Sequence, residues 1–189
     1  LCGPRAGGNS DTAGLAFAAG LARTGVEARV IRLREQAITP CRGCGSCAET
    51  PQHRCPLSDA DDVEVLFSTI MHARILAFAS PVYFYHVPAL FKALIDRAQR
   101  HYEVRMAAEP AHSARPPRSA QVLLVAGRKT GERLFEGTLL TLKYFLWPFY
   151  FRPAEPCLLR GLDAPGDLAA DAAALDRVSA YGEAAASEA

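Results

Sequence analysis

The stretch Ile75-Leu76-Ala77-Phe78-Ala79-Ser80-Pro81-Val82-Tyr83-Phe84-Tyr85-His86-Val87-Pro88 decides the fold. Its first five residues are an unbroken apolar run, the mark of a strand covered on both faces. An aromatic loop held between two prolines follows. Pro88 then opens a helix on which Leu90, Phe91, Leu94 and Ile95 share the inward face. The same order of elements recurs on either side. Leu15, Ala18, Ala19 and Ala22 give a helix over 9–23, capped by Asn9 or Ser10 and stopped by Gly25. Residues 26–33 alternate as a strand, and Ser58 or Asp59 caps a helix carrying Val63, Leu66, Phe67 and Ile70. Residues 121–126 form a second buried strand, 131–147 a helix ended by Pro148, 149–159 the last strand, and 168–186 a closing helix. Residues 101–119, with Pro110, Pro116 and Pro117, read as a long loop. Strands alternating with helices mean an α/β protein with a parallel sheet covered on both sides. Five strands suit a flavodoxin-like three-layer sandwich in the order 2-1-3-4-5, whose ligands sit at the carboxyl ends of the strands. The chain begins at Leu1 and meets a glycine turn at once, so the first strand is expected to be truncated, with most of it lying before Leu1.

A chain of 189 residues makes one domain, 1–189, with a full core. Half the residues are hydrophobic, 22% are charged and the net charge is +1, which argues against disorder and against a polyanionic partner such as nucleic acid. No stretch reaches the ~18 uncharged apolar residues of a membrane span. The nearest, residues 139–151, is interrupted by Lys143 and Pro148. It still carries more large apolar side chains than one helix face buries, which leads us to expect a subunit interface there, in a homodimer or tetramer.

Three loops leave the same edge of the expected sheet. Gly3-Pro4-Arg5-Ala6-Gly7-Gly8-Asn9-Ser10-Asp11-Thr12 joins the first strand to the first helix. Its glycines let backbone amides approach an anion, the helix start adds a positive dipole, and Arg5, Asn9, Ser10 and Thr12 add donors for a phosphate. It is neither a P-loop nor G-x-G-x-x-G, and the bland alternative is a capped helix after a flexible turn. Ser80 to Pro88 offers a flat conjugated ring two prolines and several aromatics, and otherwise reads as a hydrophobic loop under a helix. Ala126-Gly127-Arg128 allows close approach at Gly127, with Arg128 near a ring that gains negative charge on reduction. His86 alone reads as a surface residue, and Lys92, Asp96 and Arg97 as an exposed charged stretch.

Four of the six cysteines, Cys41, Cys44, Cys47 and Cys55, lie within fifteen residues. Three at spacing three can aim thiolates at one point, with Cys55 completing a [4Fe–4S] site. Structural zinc and free or partly disulfide-bonded thiols are the alternatives. Clustered thiols suit a reducing compartment, the cytoplasm. Cys2 and Cys157 read as small buried hydrophobes.

Together these residues resemble the NADPH-dependent FMN reductase superfamily, and within it the iron-sulfur flavoprotein branch. The resemblance rests on Gly-Pro-Arg-x-x-Gly-Asn-Ser at 3–10, Pro-Cys-x-x-Cys-x-x-Cys at 40–47, Asp61-Asp62, and Ser-Pro-Val-Tyr-Phe at 80–84 with the helix 88–97. It implies a flavodoxin-like fold, non-covalent FMN, reduction by NAD(P)H and a homodimer or dimer of dimers. By position, Arg5, Asn9, Ser10 and Thr12 would hold the FMN phosphate. Pro81, Val82, Tyr83 and Phe84 with Ala126 and Gly127 would line the isoalloxazine. Two departures stand out: Cys2-Gly3 replace the usual Gly-Ser before Pro-Arg, and Cys55 lies farther from Cys47 than in tight cluster sites. The implied activity is an FMN-dependent NAD(P)H oxidoreductase passing hydride to a small acceptor such as a flavin or quinone, with no side chain needed as acid or base. The alternative is an iron-sulfur flavoprotein serving a ferredoxin-like carrier. A third reading is a non-enzymatic module whose thiols sense oxidation.

Overall fold

The computed structural model describes residues 1–108 and 116–187. In chain order the elements are α1 (Asn9–Arg23), a 3-10 turn (Leu33–Glu35), α2 (Ser46–Glu49), α3 (Val63–His72), β1 (Leu76–Pro81), α4 (Ala89–Arg97) and α5 (Gln99–Ala107). There follow β2 (Arg118–Ala126), α6 (Glu136–Leu146), a second 3-10 turn (Trp147–Phe149), β3 (Phe151–Pro153), β4 (Cys157–Arg160), α7 (Asp167–Ala170) and α8 (Ala172–Ser187).

β2 is the middle of the sheet. On one edge it pairs in parallel with β1, from Leu76 against Ala120 to Pro81 against Val125. On the other edge it pairs in parallel with β3 over residues 118–120 and with β4 over residues 123–126. The register slips by one residue between these two pairings, so the expected last strand is broken by a bulge at 154–156. Tyr181 of α8 bridges the break. Its hydroxyl accepts the Val122 N–H at 3.3 Å and donates to the Glu155 carbonyl at 2.9 Å.

Residues alternate across β2 and divide the core in two. Ala120, Val122, Leu124 and Ala126 join Phe67, Phe91, Phe145 and Phe149. Leu123 and Val125 join Ala13, Phe17, Leu168 and Val178. The sheet thus lies between a layer of α3, α4 and α6 and a layer of α1 and α8, the three-layer arrangement expected. The second layer is held backbone to backbone. A Cβ on Gly20 would fall 2.0 Å from the Ser179 carbonyl oxygen, and one on Gly182 would fall 2.2 Å from that of Phe17.

Several expectations are corrected. The sheet of the described residues has four strands, not five. Residues 26–32 carry no strand, although Leu1 donates its amino group to the Ile31 carbonyl at 2.6 Å and accepts the Leu33 N–H at 3.0 Å. Cys2 donates to the Ala79 carbonyl of β1 at 2.8 Å. An apolar groove of about 610 Å³ runs between this segment and the edge of β1 that faces away from β2, lined by Val26, Ile31, Leu66, Ile75 and Phe78. The cap of α1 is Gly8, because the Asn9 side chain is drawn elsewhere. The cap of α3 is Asp62 rather than Ser58 or Asp59. The expected loop 101–119 is helical through Ala107 and enters β2 at Arg118, while residues 109–115 lie outside the described part. The helix expected over 131–147 starts only at Glu136, and the closing helix is divided at Asp171. No helix among the described residues is long and apolar enough to cross a membrane.

The α5 helix stays put because His101 and Arg105 are buried. The Arg105 guanidinium lies 3.9 Å from the Tyr150 ring centroid and 4.7 Å from that of Trp147. The His101 ring stands 4.8 Å from that of Phe67 and 4.7 Å from that of Phe149. Burial, helped by neighbouring Arg100, pushes its pKa down to about 4. The unfolded chain takes up that proton near pH 6.5, so between pH 6.5 and 4 it binds more protons than the native state. Stability conferred by the neutral ring is therefore complete above pH 6.5 and falls by roughly 2–3 kcal/mol on acidification to pH 4. His101→Phe removes that part of the slope; urea unfolding at pH 7.5, 6 and 5 measures it against the native protein.

Candidate functional site

Four loops enclose a crevice of about 370 Å³; three leave the carboxyl ends of β1, β2 and β4, and the first follows Leu1 and Cys2. Gly3, Pro4, Arg5, Gly8, Asn9 and Ser10 form one wall, Pro81, Val82 and Tyr83 a second, and Val125, Gly127 and Arg128 a third. Leu162 and Asp163, after β4, form the fourth. The sequence reading missed this last wall, although Gly161 after a strand end repeats the signal already seen at Gly127.

The first wall is mostly backbone. Thr12 N–H to Gly8 O, at 3.0 Å, is the earliest bond of α1, so the amides of residues 9–11 have no carbonyl four residues back. A Cβ on Gly3 would lie 2.5 Å from Ser10 Oγ, so a side chain there would make the Ser10 hydroxyl turn away. A hydroxyl from residue 10 therefore stands beside position 3, where the resembling family carries serine. Arg5 is exposed at the rim.

Asn9 does something the sequence did not announce. Its amide nitrogen donates to the carbonyls of Leu162 (3.2 Å) and Ala164 (2.9 Å), and its oxygen accepts the Leu168 N–H at 3.1 Å. The side chain expected to meet a phosphate instead ties the first wall to the fourth. Thr12 turns its hydroxyl back to the Gly8 carbonyl, at 3.4 Å, and does not line the crevice. Ala126 is buried beneath the crevice, and its carbonyl accepts the Leu162 N–H at 3.1 Å.

The second wall is a tight hairpin. Tyr83 and His86 exchange two backbone bonds of 2.9 Å, and the two residues between them, Phe84 and Tyr85, have φ of 49° and 64°. That is the geometry of a type I′ turn, which normally takes Asn and Gly and costs bulky residues roughly 1 kcal/mol or more each. Tyr83 lines the crevice, whereas Phe84 is 102% exposed and does not. His86 is half-buried, not a free surface residue, and its Nε2 meets the Thr141 hydroxyl at 2.8 Å. On the third wall the absent side chain of Gly127 leaves room for Asp163, whose Oδ1 lies 2.5 Å from where a Cβ would be.

The cysteine segment rises from a closed stem. Asp61 accepts the Thr39 N–H at 2.8 Å and pairs with Arg97 at 2.7 Å, and both side chains are 1% exposed. Arg97 also donates to the Thr39 carbonyl at 3.0 Å, and Asp62 accepts the Ala37 N–H at 2.7 Å. Burial alone would raise the Asp61 carboxyl, but the Thr39 amide, Arg97 and the Val63 amide outweigh it and hold it below the usual range. Arg97 is thus a buried partner, not part of an exposed charged stretch; Lys92 and Asp96 do form an exposed pair at 2.6 Å. Above the stem all four thiols are free, Cys41 and Cys44 exposed, Cys47 and Cys55 half-buried. Hydrogen bonds from Ser46 lower the Cys44 thiol, and burial raises that of Cys47. Among the described residues no three histidine, cysteine or acidic side chains come together to hold a metal, so the thiols as arranged do not fit a four-ligand site. Cys2 and Cys157 are buried, and burial pushes the Cys2 thiol up to about 11.

A family model described as NADPH-dependent FMN reductase matches residues 1–146. The chain belongs to the NADPH-dependent FMN reductase family. Among curated relatives, an iron-sulfur flavoprotein of Methanocaldococcus jannaschii is 35% identical over 79 residues, 42% of this chain and 39% of that protein. One from Archaeoglobus fulgidus is 30% identical over 97 residues, 51% of this chain and 42% of that protein. The matched stretches thus span about two-fifths of those relatives' length. A solved NAD(P)H:quinone oxidoreductase from Methanothermobacter marburgensis superposes with a TM-score of 0.70 at 22% identity, over 97% of this chain and 90% of that one. This FMN reductase family member therefore has a flavodoxin-like α/β fold with a parallel sheet.

Asn9→Ala takes the partner from the Leu162 carbonyl and from the buried Leu168 amide, while the Ala164 carbonyl keeps the Asp167 N–H, and destabilises the protein by about 1–3 kcal/mol. Hydrogen exchange at Leu168 accelerates beyond the rise set by global stability, because the loop 162–168 opens by itself; exchange mass spectrometry on both proteins measures this.

Proposed function

We propose that the protein is an FMN-dependent NAD(P)H oxidoreductase that delivers hydride to a small acceptor such as a free flavin or a quinone. The observation that carries this reading is the crevice itself. A glycine turn and a helix start form one end, an aromatic proline-bounded loop forms the other, and three of the four walls rise from the carboxyl ends of β1, β2 and β4 in one parallel sheet. The bare backbone at Gly3 and Gly127, with Ser10 Oγ and Asp163 Oδ1 each 2.5 Å from where a Cβ would stand, allows a flat, phosphorylated ligand to approach closely.

In this reading the amides of residues 8–10, Ser10 and Arg5 hold the phosphate. Pro81, Val82, Tyr83 and Gly127 line the ring, and Arg128 stabilises negative charge that the ring gains. Asn9 keeps the fourth wall in place, and Asp163 offers an acceptor for ligand hydroxyls. Bound FMN would supply two-electron chemistry, taking hydride from NAD(P)H and delivering it onward. The chain's own work is to seat the ring, shed water from one face and leave the other open.

Two further inferences go with it. The backbone bonds of Leu1 and Cys2, to residues 31–33 on one side and Ala79 on the other, support the strand order 2-1-3-4-5. A second copy of the chain is taken to cover the groove between α4, α5 and α6, about 450 Å³, where Tyr102, Leu140 and Tyr144 are exposed beside Pro148. Free thiols throughout suit the cytoplasm.

Purified protein is expected to be yellow or to take up FMN stoichiometrically, and to oxidise NAD(P)H with added flavin or quinone. Colourless protein that binds no FMN in equilibrium dialysis sinks the reading. A second reading rests on the relatives named iron-sulfur flavoproteins and on Cys41, Cys44, Cys47 and Cys55: a [4Fe–4S] cluster exchanging electrons with a ferredoxin-like carrier. The separated thiols argue against it. Anaerobically purified protein with about four irons per chain would carry it, and iron-free protein would remove it.

A further inference from the structure

The anion-loop reading leaves one buried pair unexplained. Asp11 sits in the first turn of α1, the helix whose start should attract a phosphate, with a side chain only 5% exposed. A carboxylate there favours the helix dipole but opposes a bound dianion. Arg34, from the 3-10 turn 33–35, meets it with a side chain 16% exposed. Its Nη2 lies 2.9 Å from Asp11 Oδ2 and its Nη1 lies 3.1 Å from Oδ1, a two-point fork.

The same two side chains hold both ends of the glycine turn. Asp11 Oδ2 accepts the Gly7 N–H at 3.0 Å, and Arg34 Nη1 donates to the Gly3 carbonyl at 3.3 Å. Gly7 has φ of 65°, so its amide faces inward to Asp11 rather than outward. These contacts join residue 3, residue 7, the helix and the turn 33–35.

We propose that Arg34 and Asp11 are the positioning residues of the phosphate loop. Asp11 sets its curvature through the Gly7 amide, and Arg34 both fixes the Gly3 end and cancels the Asp11 charge so that the loop accepts a dianion. Neither residue lines the crevice, so both act through the backbone of residues 3–10. The proposal rests on the FMN reading and adds to it the requirement that phosphate affinity depends on a residue outside the crevice.

The test compares FMN with riboflavin, which lacks only the phosphate. Dissociation constants for both are measured by flavin fluorescence for the native protein and for Arg34→Met, Arg34→Lys, Asp11→Asn and the double variant Arg34→Met/Asp11→Asn, with thermal melts alongside. Arg34→Met is expected to weaken FMN roughly 10- to 100-fold and riboflavin by less than about twofold, because only the phosphate meets the uncancelled charge. Arg34→Lys recovers part of the loss. The double variant recovers most of it, and Asp11→Asn alone raises the preference for FMN over riboflavin. A merely structural pair would weaken both flavins together and in step with the melting temperature, which overturns the proposal, as does an unchanged FMN-to-riboflavin ratio. Should Arg34→Met not fold, Asp11→Asn and Arg34→Lys decide: a preference lowered by Asp11→Asn, or untouched by both, overturns it. Native protein that binds neither flavin fails at the cofactor reading instead, a separate result.

Discussion

The ladder of β2 with β1 on one edge and with β3 and β4 on the other is the constraint on which everything else depends. From Ala120 to Ala126 the strand is buried on both faces, so every N–H and C=O along it must find a partner within the sheet. The bulge at 154–156 would leave such a group unpaired. Tyr181 supplies the missing partner, which ties α8 to the sheet by a hydrogen bond as well as by packing. At the other end the Arg118 guanidinium donates to the carbonyls of Ala73 (2.5 Å), Met71 and Phe149 (both 3.1 Å), tying the end of α3 to the strand start. With both ends of β2 held, the carboxyl ends of its neighbours are fixed as well, and the crevice lies above them.

That crevice is built more from what side chains leave out than from what they supply. Gly3 and Gly127 make space that Ser10 and Asp163 partly occupy, and the helix start contributes amides whose direction is set by Gly8. The one wall rich in side chains, the hairpin at 83–86, carries two bulky residues at positive φ. A glycine there would relieve the strain. The price in stability makes sense if Tyr83 must stand at the crevice while Phe84 stays in solvent. Asn9 then links walls that are more than 150 residues apart in sequence.

The cysteine segment follows a different logic. Its stem is closed by a buried ion pair, yet Nε and Nη2 of Arg97 have no hydrogen-bond partner among the described residues. Burying a charge so incompletely satisfied costs stability unless the geometry it enforces is needed. What it enforces is the fixed separation of residues 37–39 from 61–63 and hence a firm base for the thiols above. The loop is thus specified at its root and open at its tip, where Gly43 and Gly45 take φ of 62° and 78°.

The amino-acid sequence by itself determined the layered α/β architecture, because a five-residue apolar run and helical spacing are local signals. It also determined three of the four walls, since glycines and prolines after strand ends mark themselves. It overestimated residues 26–33, where alternation suits a strand but only Ile31 and Leu33 bond the backbone of Leu1. It missed α5, whose arginines and His101 looked like loop polarity until packing on Phe67, Phe149, Trp147 and Tyr150 buried them. Only the tertiary structure decided that Asn9 serves Leu162 and Leu168, that Arg34 serves Asp11, and that Arg97 serves Asp61. The reason is the same in each case: a hydrogen bond between residues far apart in the chain leaves no periodicity or spacing to read, and exists only once the fold has brought donor and acceptor within about 3 Å.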